Sequence, residues 1–562
     1  MLDAVDYRGD RTEVLELPGV ALGYRWWGGR PAKSQGIHRA NGDAVACCGI
    51  FAPPVPSPAA ELPDRLRSGT ASLDGAFAGA WWSAAEERLT LVRDPFGVRS
   101  LYHVEHDGIF YFASELKQLL AIPALPVEVD HLVLHKFLTF SFVPGERMPV
   151  RGVCRLLPGH TGTFCHGTWE SRPYFSLREE IDPALEEQSA AVRIIAQRCR
   201  EAVKRRLSPD ETEVGVYLSG GLDSSAVACW LKQAGAGVRA FTLDFGRHSV
   251  EREQAEQVAQ SLEIPLVRVA AEPAEIAELL PEIVWKLDLP FGDPVTAPQY
   301  LLGRAARDAG LSVVFNGEGG DQLFGGWTSK PMISAQVFGG MFGTRDPAEQ
   351  YLQSYHRFYG LEDELYSENF CEAVGTSVGR RRALLLPHLE ATAGMAFLNQ
   401  VRLADIALKG SQNILPRAER MTNCWGLDMR VPLFDRDLAT VSFRLPPSMK
   451  LRGACEKYVL KLALQKQLPE AIVWRRKFGM SVPVTDWLLG PLASLAGDLL
   501  GPEALQRRGL FRPDYVERLR RGEQSPGETR RRRLGEKLWT LLMLEAWLRI
   551  FIDGRGRRPA RL

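Results

Sequence analysis

Val214-Gly215-Val216-Tyr217-Leu218-Ser219-Gly220-Gly221-Leu222-Asp223-Ser224-Ser225 runs directly into Ala226-Val227-Ala228-Cys229-Trp230-Leu231. An apolar stretch, a Gly-Gly break and a second apolar stretch predict a short buried strand, a tight turn and the start of a helix. Gly220 and Gly221 let the backbone turn sharply and bring its N–H groups close to an anion. The helix N-terminus behind them adds partial positive charge, and Ser219, Ser224 and Ser225 add hydroxyl donors. Asp223 is the odd group among these donors. It fits there if a divalent cation bridges its carboxylate to phosphate oxygens. An ordinary Gly-Gly turn capped by serines is the plainer alternative, but the full Ser-Gly-Gly-Leu-Asp-Ser-Ser run is more specific than that.

The run resembles the pyrophosphate loop of the ATP pyrophosphatases, which cleave ATP between its α- and β-phosphates and adenylate a substrate. Around it strands and helices alternate, the pattern of a parallel sheet covered on both faces. Val238-Arg239-Ala240-Phe241-Thr242-Leu243-Asp244 reads as the second strand, Arg252-Glu253-Gln254-Ala255 as the start of the next helix, and Leu266-Val267-Arg268-Val269 as the third strand. The C-terminal ends of neighbouring strands are where such sheets bind nucleotides, which adds Leu243 to the ATP-binding set. A rigid loop, Leu287 to Pro294, leads to a helix over Gln299 to Ala309. A second strand-and-turn unit follows at Val313-Val314-Phe315-Asn316-Gly317-Glu318-Gly319-Gly320-Asp321, continuing to Trp327. Its acidic turn pairs Asp321 with Asp223 as Mg²⁺ ligands and places Gly317 with the ATP-binding residues. Glu318 faces the substrate, holding its amine or acting as base during amide formation. A surface acidic turn is the plain alternative here.

The bulk of the chain is ordinary. With 562 residues there is room for roughly two to four domains. Charged residues make up 24% and apolar residues 45%, as in soluble enzymes, and a net charge of +1 gives no reason to expect nucleic acid or an acidic membrane. No apolar run reaches membrane-spanning length, and the N-terminus has no basic stretch followed by an apolar one. Nine scattered cysteines without a Cys-x-x-Cys indicate neither a zinc site nor a disulfide framework, so a cytoplasmic, reducing location is expected. The Arg-rich tail from Arg555 to Leu562 reads as a frayed, solvated end.

Residues 1–180 read as strands and turns with a few helices, as in Arg88-Leu89-Thr90-Leu91-Val92-Arg93 and Gly108-Ile109-Phe110-Tyr111-Phe112-Ala113. Asp94-Pro95-Phe96-Gly97-Val98-Arg99-Ser100-Leu101-Tyr102 and Phe112-Ala113-Ser114-Glu115-Leu116-Lys117 resemble the class II glutamine amidotransferase domain that precedes the synthetase domain of asparagine synthetases. The family's catalytic parts are changed. Its N-terminal cysteine nucleophile uses its own α-amine as base, whereas here the second residue is Leu2 and the chain begins after the strand that would carry the cysteine. Trp26 stands where the family has an arginine for the glutamine carboxylate. Cys47-Cys48-Gly49-Ile50 replaces the Asn-Gly-Glu segment whose amide stabilises the oxyanion. Cleavage before Cys48 would make it a cryptic nucleophile; a buried strand with two small apolar thiols is the plainer reading. The domain is expected to be a structural relic.

Residues 181–562 form the predicted synthetase domain, entered by an amphipathic helix over 188–207 and closed by another from Lys537 to Phe551. Residues 328–410 are read as helical and as one wall of the acceptor pocket. Ile414-Leu415-Pro416-Arg417-Ala418-Glu419-Arg420-Met421-Thr422-Asn423 through Val431-Pro432-Leu433-Phe434-Asp435 keeps the family's frame but changes its core, and Glu456-Lys457-Tyr458 and Trp474-Arg475-Arg476-Lys477 complete the set. The chain is identified as a member of the asparagine synthetase superfamily, which includes β-lactam synthetases and lasso-peptide macrolactam synthetases. That implies an α/β protein: a degenerate α+β sandwich of the Ntn-hydrolase kind, then a doubly wound parallel-sheet, adenine-nucleotide α-hydrolase-like synthetase domain with added helices. It also implies ATP and Mg²⁺ as cofactors, Lys477 as the lysine opposing the departing pyrophosphate or an oxyanion, and Trp327 and Asn423 in the substrate pocket. The expected reaction adenylates a small-molecule or peptide carboxylate and joins it to an amine, with biosynthetic partner proteins nearby. An altered glutaminase half points to lactam or macrolactam closure. Asparagine formation with free or partner-supplied ammonia is the alternative on the same fold, and a non-catalytic homologue is the alternative of another class.

Overall fold

The fold is seen in a computed structural model that describes residues 1–28, 36–326, 346–355, 357–375, 378–389, 394–475, 481–523 and 531–562. Trp327 and Lys477 lie outside the described residues.

The first half is built on a six-stranded antiparallel sheet in the order Thr168–Pro173, His160–Cys165, Arg88–Arg93, Gly75–Ser83, Asp43–Phe51, Ile37–Ala40. Gly75–Ser83 is buried along its whole length, because both faces of the sheet are covered. On one side Leu15 and Leu22 of the hairpin Arg11–Leu17/Val20–Trp26 pack on Ala78, Ala80, Leu89 and Leu91. On the other, Ala59 and Leu62 of the helix Pro58–Arg67 meet Val45, Phe77, Trp81 and Val92. A smaller sheet, Ile109–Ala113/Tyr102–His106/Cys154–Arg155, and the helix His131–Phe140 carry the chain into the second half.

The second half holds a five-stranded, wholly parallel sheet in the order Leu266–Ala270, Gly237–Asp244, Glu213–Tyr217, Val313–Asn316, Asp428–Arg430. Glu213–Tyr217 is central, with its successor in sequence on one side and Val313–Asn316 on the other. Strand order therefore reverses at this strand, and the crevice at its C-terminal end is where open α/β sheets take ligands. The next helix, Leu222–Gln233, is buried at every position from Leu222 to Leu231, as expected of a helix enclosed on all sides. The helix Gln188–Lys204 covers it with Ala191, Ile195, Cys199 and Val203, and Glu187 caps its first turn by accepting from the Ser189 and Ala190 amides.

Three expectations change. The closing helix is Arg531–Trp547, continued by a π-helical turn over Leu548–Asp553, and is not amphipathic: Leu538, Trp539, Leu542, Met543, Trp547 and Phe551 are all buried in the core. The Arg-rich tail is docked, with the Trp285 indole N–H donating to the Gly556 carbonyl at 2.9 Å and Arg558 lying over the Trp285 ring. The described residues between 346 and 414 do form helical pieces, but Asp405–Ile414 is π-helical. Its i→i+5 pattern, with the Leu415 amide donating to the Gly410 carbonyl, leaves no mark in the periodicity of a single sequence.

Candidate functional site

The two chemical turns meet at the C-terminal edge of the parallel sheet. Gly220 takes φ +70°, and a Cβ there would meet the Ala255 amide nitrogen at 2.5 Å. The loop thus lies against the start of the helix Arg252–Ser261. Ser219 accepts from the Gly221 amide at 3.2 Å, and its own amide donates to Ser224 Oγ at 3.2 Å, which holds the loop's shape. From the other turn, Gly317 lies so close that a Cβ would sit 2.5 Å from Ser224 Cα and 2.6 Å from Ser224 N. A Cβ on Gly320 would overlap the Asp223 carboxylate at 2.1 Å. Gly220 and Gly317 are required by close backbone contact and Gly320 by the Asp223 carboxylate, not by turn geometry alone. Gly317→Ala is therefore expected to cost about 1–3 kcal/mol or more, read as a fall in the urea midpoint together with loss of ATP binding. Gly497→Ala, inside the helix Ala493–Leu500 where the nearest atom is the flexible Arg520 Nη2 at 3.2 Å, should leave ATP binding unchanged and hold or raise the urea midpoint.

Between the turns stands a residue to which the sequence reading gave no role. Lys457 Nζ lies 2.5 Å from Asp223 Oδ2 and 2.7 Å from Asp321 Oδ1. Its side chain is 2% exposed, and its backbone is left-handed at φ +54° just before the helix Tyr458–Leu464. A non-glycine residue there is uncommon and marks a held position. The Glu456-Lys457 pair in the quoted motif was the available signal; which of several nearby lysines reaches the turns is a matter of folding, not of spacing.

A cavity of about 440 Å³ opens over these turns and is lined by Ser219, Gly221, Asp223, Ser224, Leu243, Gly317, Glu318 and Asp321. Eight predicted site residues thus share one cavity. Gly220 turns the chain beneath it. Ser225 does not line it: its hydroxyl is fully buried and donates to the Gly221 carbonyl at 2.7 Å, so it braces the loop from behind. The first half also reaches this cavity, through Phe140 and Ser141. Ser141 fixes the neighbouring loop, its carbonyl accepting from the Gly292 amide at 2.7 Å.

Asn423 is displaced from its predicted place. It lines a second cavity, of about 800 Å³, between the first half and the opposite edge of the parallel sheet, where Ser312 and Val313 enter their strand. There Asn423 Oδ1 accepts from Arg8 Nη1 at 2.7 Å. The helix Leu415–Asn423 is the reason: Arg417 faces the first cavity, whereas Glu419, Arg420 and Asn423 face the second. Around the second cavity the halves are joined by ion pairs. Arg8 Nε meets Glu115 Oε1 at 2.5 Å, Lys117 bridges Glu115 and Asp288, and Arg420 Nη1 reaches Asp288 Oδ2 at 3.2 Å. Burial opposes ionisation of Glu115, but Arg8, Lys117 and Arg420 pull its carboxyl well below the usual range.

Cys48 lines the same cavity from mid-strand, paired with Ala78 in the sheet. Burial raises its thiol above the ordinary value despite Arg99 nearby. In the intact chain its amide is part of the strand, so Cys48 has no free α-amine to act as its base.

Residues 195–549 match the family model for asparagine synthase, and residues 67–175 match that for a glutamine amidotransferase domain. The chain belongs to the asparagine synthase family. It is accordingly an ATP-dependent ligase. Asparagine synthetase 1 of Bacillus subtilis (strain 168), described as glutamine-hydrolyzing, is 26% identical over 508 residues, covering 86% of this chain and 78% of that protein. Asparagine synthetase 3 of the same organism is 25% identical over 430 residues, covering 72% and 67%. Amidase chyE of Penicillium rubens is 25% identical over 512 residues, covering 78% and 74%. No helix among the described residues of this family member is long and apolar enough to cross a membrane.

Proposed function

We propose that the protein adenylates a substrate carboxylate and joins it to an amine that does not come from glutamine hydrolysis in its own first half. Lactam or macrolactam closure in natural-product biosynthesis, with the amine on the substrate itself, is the form of the reaction we favour. Small-molecule and peptide substrates both suit it, as do partner proteins that supply them.

The observation that carries this reading is the separation of the two cavities. They lie at opposite ends of the strand Val313–Asn316 and share no lining residue among those described, with the helix Leu415–Asn423 as a common wall. Trp26 and the Cys47-Cys48-Gly49-Ile50 strand add to it, because the first is no arginine for the glutamine carboxylate and the second brings no side-chain amide for the oxyanion.

In this mechanism the loop amides and the Ser219 and Ser224 hydroxyls hold the phosphates. Asp223 and Asp321 are hard oxygen donors on adjoining turns, the set that Mg²⁺ takes when it completes its shell with phosphate oxygens and water, and they would hold it here. When bound, that ion neutralises charge on the leaving pyrophosphate. Lys457 keeps both carboxylates oriented and supplies positive charge between them. A carboxylate oxygen attacks the α-phosphorus and pyrophosphate leaves. The amine nitrogen then attacks the acyl carbon and AMP leaves, with Glu318 placed to take the amine proton. Holding the reactants together supplies much of the rate. Lys477 is assigned to the departing pyrophosphate by resemblance.

Incubating the protein with ATP, Mg²⁺ and ¹⁵N-amide glutamine tests the nitrogen source. The reading expects no glutamate release above background and no ¹⁵N in product; glutamate release coupled to AMP formation would contradict it. A second reading, asparagine formation with free or partner-supplied ammonia, is favoured by the names of the relatives. Asparagine made from aspartate and ammonium chloride, with kcat/KM rising on ammonium, would replace the lactam reading with that one.

A further inference from the structure

The Arg-rich segment from Arg555 to Leu562 is docked, and its docking gathers charge that the ligase reading does not use. A cavity of about 320 Å³ lies there and shares no lining residue with the two cavities above. Five arginines line it, Arg549, Arg555, Arg557, Arg558 and Arg561, and among the described residues the one acid in its lining is Asp553. The acids nearby are already engaged. Asp553 Oδ2 pairs with Arg508 Nη2 at 2.7 Å, and Glu545 pairs with Arg508 at 3.0 Å and with Arg549 at 2.9 Å. Glu282 Oε1 is shared by Lys286 Nζ at 2.8 Å and Arg558 Nη2 at 3.2 Å. Arg555 Nη2 donates to a neutral acceptor, the Leu125 carbonyl, at 3.0 Å. Arg557 and Arg561 are exposed, and neither side chain has a hydrogen bond or ion pair among the described residues.

The backbone holds these charges in place. Arg555 is left-handed at φ +51° just past the π-helical turn Leu548–Asp553, and the Gly556 amide donates to the Ile550 carbonyl at 2.8 Å. A Cβ on Gly556 would come 3.2 Å from Lys117 Cβ and 3.3 Å from Leu120 Cδ1, so the segment lies against the first-half helix Leu116–Leu120. Arg558 is held over the Trp285 ring, and Leu562 packs on the core. Guanidinium groups fixed around one small space repel each other, and a multivalent anion relieves that repulsion. Their planar forks match phosphate oxygens two at a time. The volume is at the small end of ligand cavities, about 300–1,000 Å³, which favours a compact anion over the face of a macromolecule.

We propose that this arginine cavity binds a small multivalent phosphate anion, of the pyrophosphate or polyphosphate class, at a site separate from the paired turns. Arg557 and Arg561 supply the uncompensated charge, and Arg555 and Arg558 anchor the segment that carries them. The site stands independently of the ligase reading.

The test is equilibrium dialysis of the full chain against ³²P-pyrophosphate, with EDTA present so that no Mg²⁺ loads the paired turns. About one pyrophosphate should bind per chain, more weakly as salt rises, and tripolyphosphate should compete at lower concentration than orthophosphate. Arg557→Gln/Arg561→Gln should weaken binding by about 10-fold or more, the worth of one charge-assisted hydrogen bond. Arg193→Gln/Arg200→Gln removes the same charge from exposed positions on the helix Gln188–Lys204 and should leave binding unchanged. No binding by the wild type, binding unmoved by Arg557→Gln/Arg561→Gln, or equal weakening by both double variants would overturn the site. Sedimentation with phosphatidylserine–phosphatidylcholine vesicles, lost in Arg557→Gln/Arg561→Gln and seen without pyrophosphate binding, would also overturn it, by putting a lipid headgroup in place of the free anion.

Discussion

The Asp223→Asn/Asp321→Asn double variant is expected to lose carboxylate-dependent ATP–pyrophosphate exchange by a factor of about 10² to 10³, the range seen when one preorganised electrostatic contact to a transition state is removed. Both carboxylates face the same cavity from turns that touch backbone to backbone. The loss belongs to chemistry if the protein still folds, and here the structure gives a particular difficulty. Lys457 is buried between the two acids, so neutralising both leaves an ammonium without its counter-charges. That alone costs stability. Adding Lys457→Met to the double variant should restore the urea midpoint and leave exchange lost. If exchange returned along with stability, the carboxylates would be structural partners of the lysine and nothing more.

Glu115→Gln is expected to lower stability by about 3–5 kcal/mol, the usual cost of removing one partner from a buried ion network. Glu115 receives Arg8 at 2.5 Å, with Lys117 and Arg420 also against it, and its side chain is 2% exposed. An amide there leaves three cations facing Asp288 and Glu419. The pH dependence has a definite sign. The folded carboxyl lies below its unfolded value, so the stabilisation is fully present above the unfolded pKa, about 4.3, and is lost as pH falls toward the folded one. The gap in urea midpoint between wild type and Glu115→Gln should therefore be constant from about pH 5 upward and narrow below about pH 4. A gap that widened on acidification would assign the network to another titrating group.

The alternation of strands and helices and the meeting of the two glycine turns were legible because each turn announces itself locally, whereas the strand order and the edge strand Asp428–Arg430 were not. An apolar run, glycines at fixed offsets and a misplaced aspartate are properties of a short segment. What escaped depended on long-range placement. Asn423 sits within three residues of Arg420 on a helix that forms the wall between two cavities, and sequence spacing does not say which cavity a helix face will meet. Ser225 reads as another hydroxyl of the loop, but the helix register turns it back onto Gly221. Lys457 lay inside a quoted motif, and only the fold brings its ammonium between Asp223 and Asp321.

The central claim is that a carboxylate is activated as an acyl-adenylate over the paired turns. A substrate labelled with ¹⁸O in its reacting carboxyl tests it directly, by mass spectrometry of the released nucleotide. One labelled oxygen is expected in the phosphate of AMP. Label in inorganic phosphate, with ADP as the nucleotide product, would contradict it.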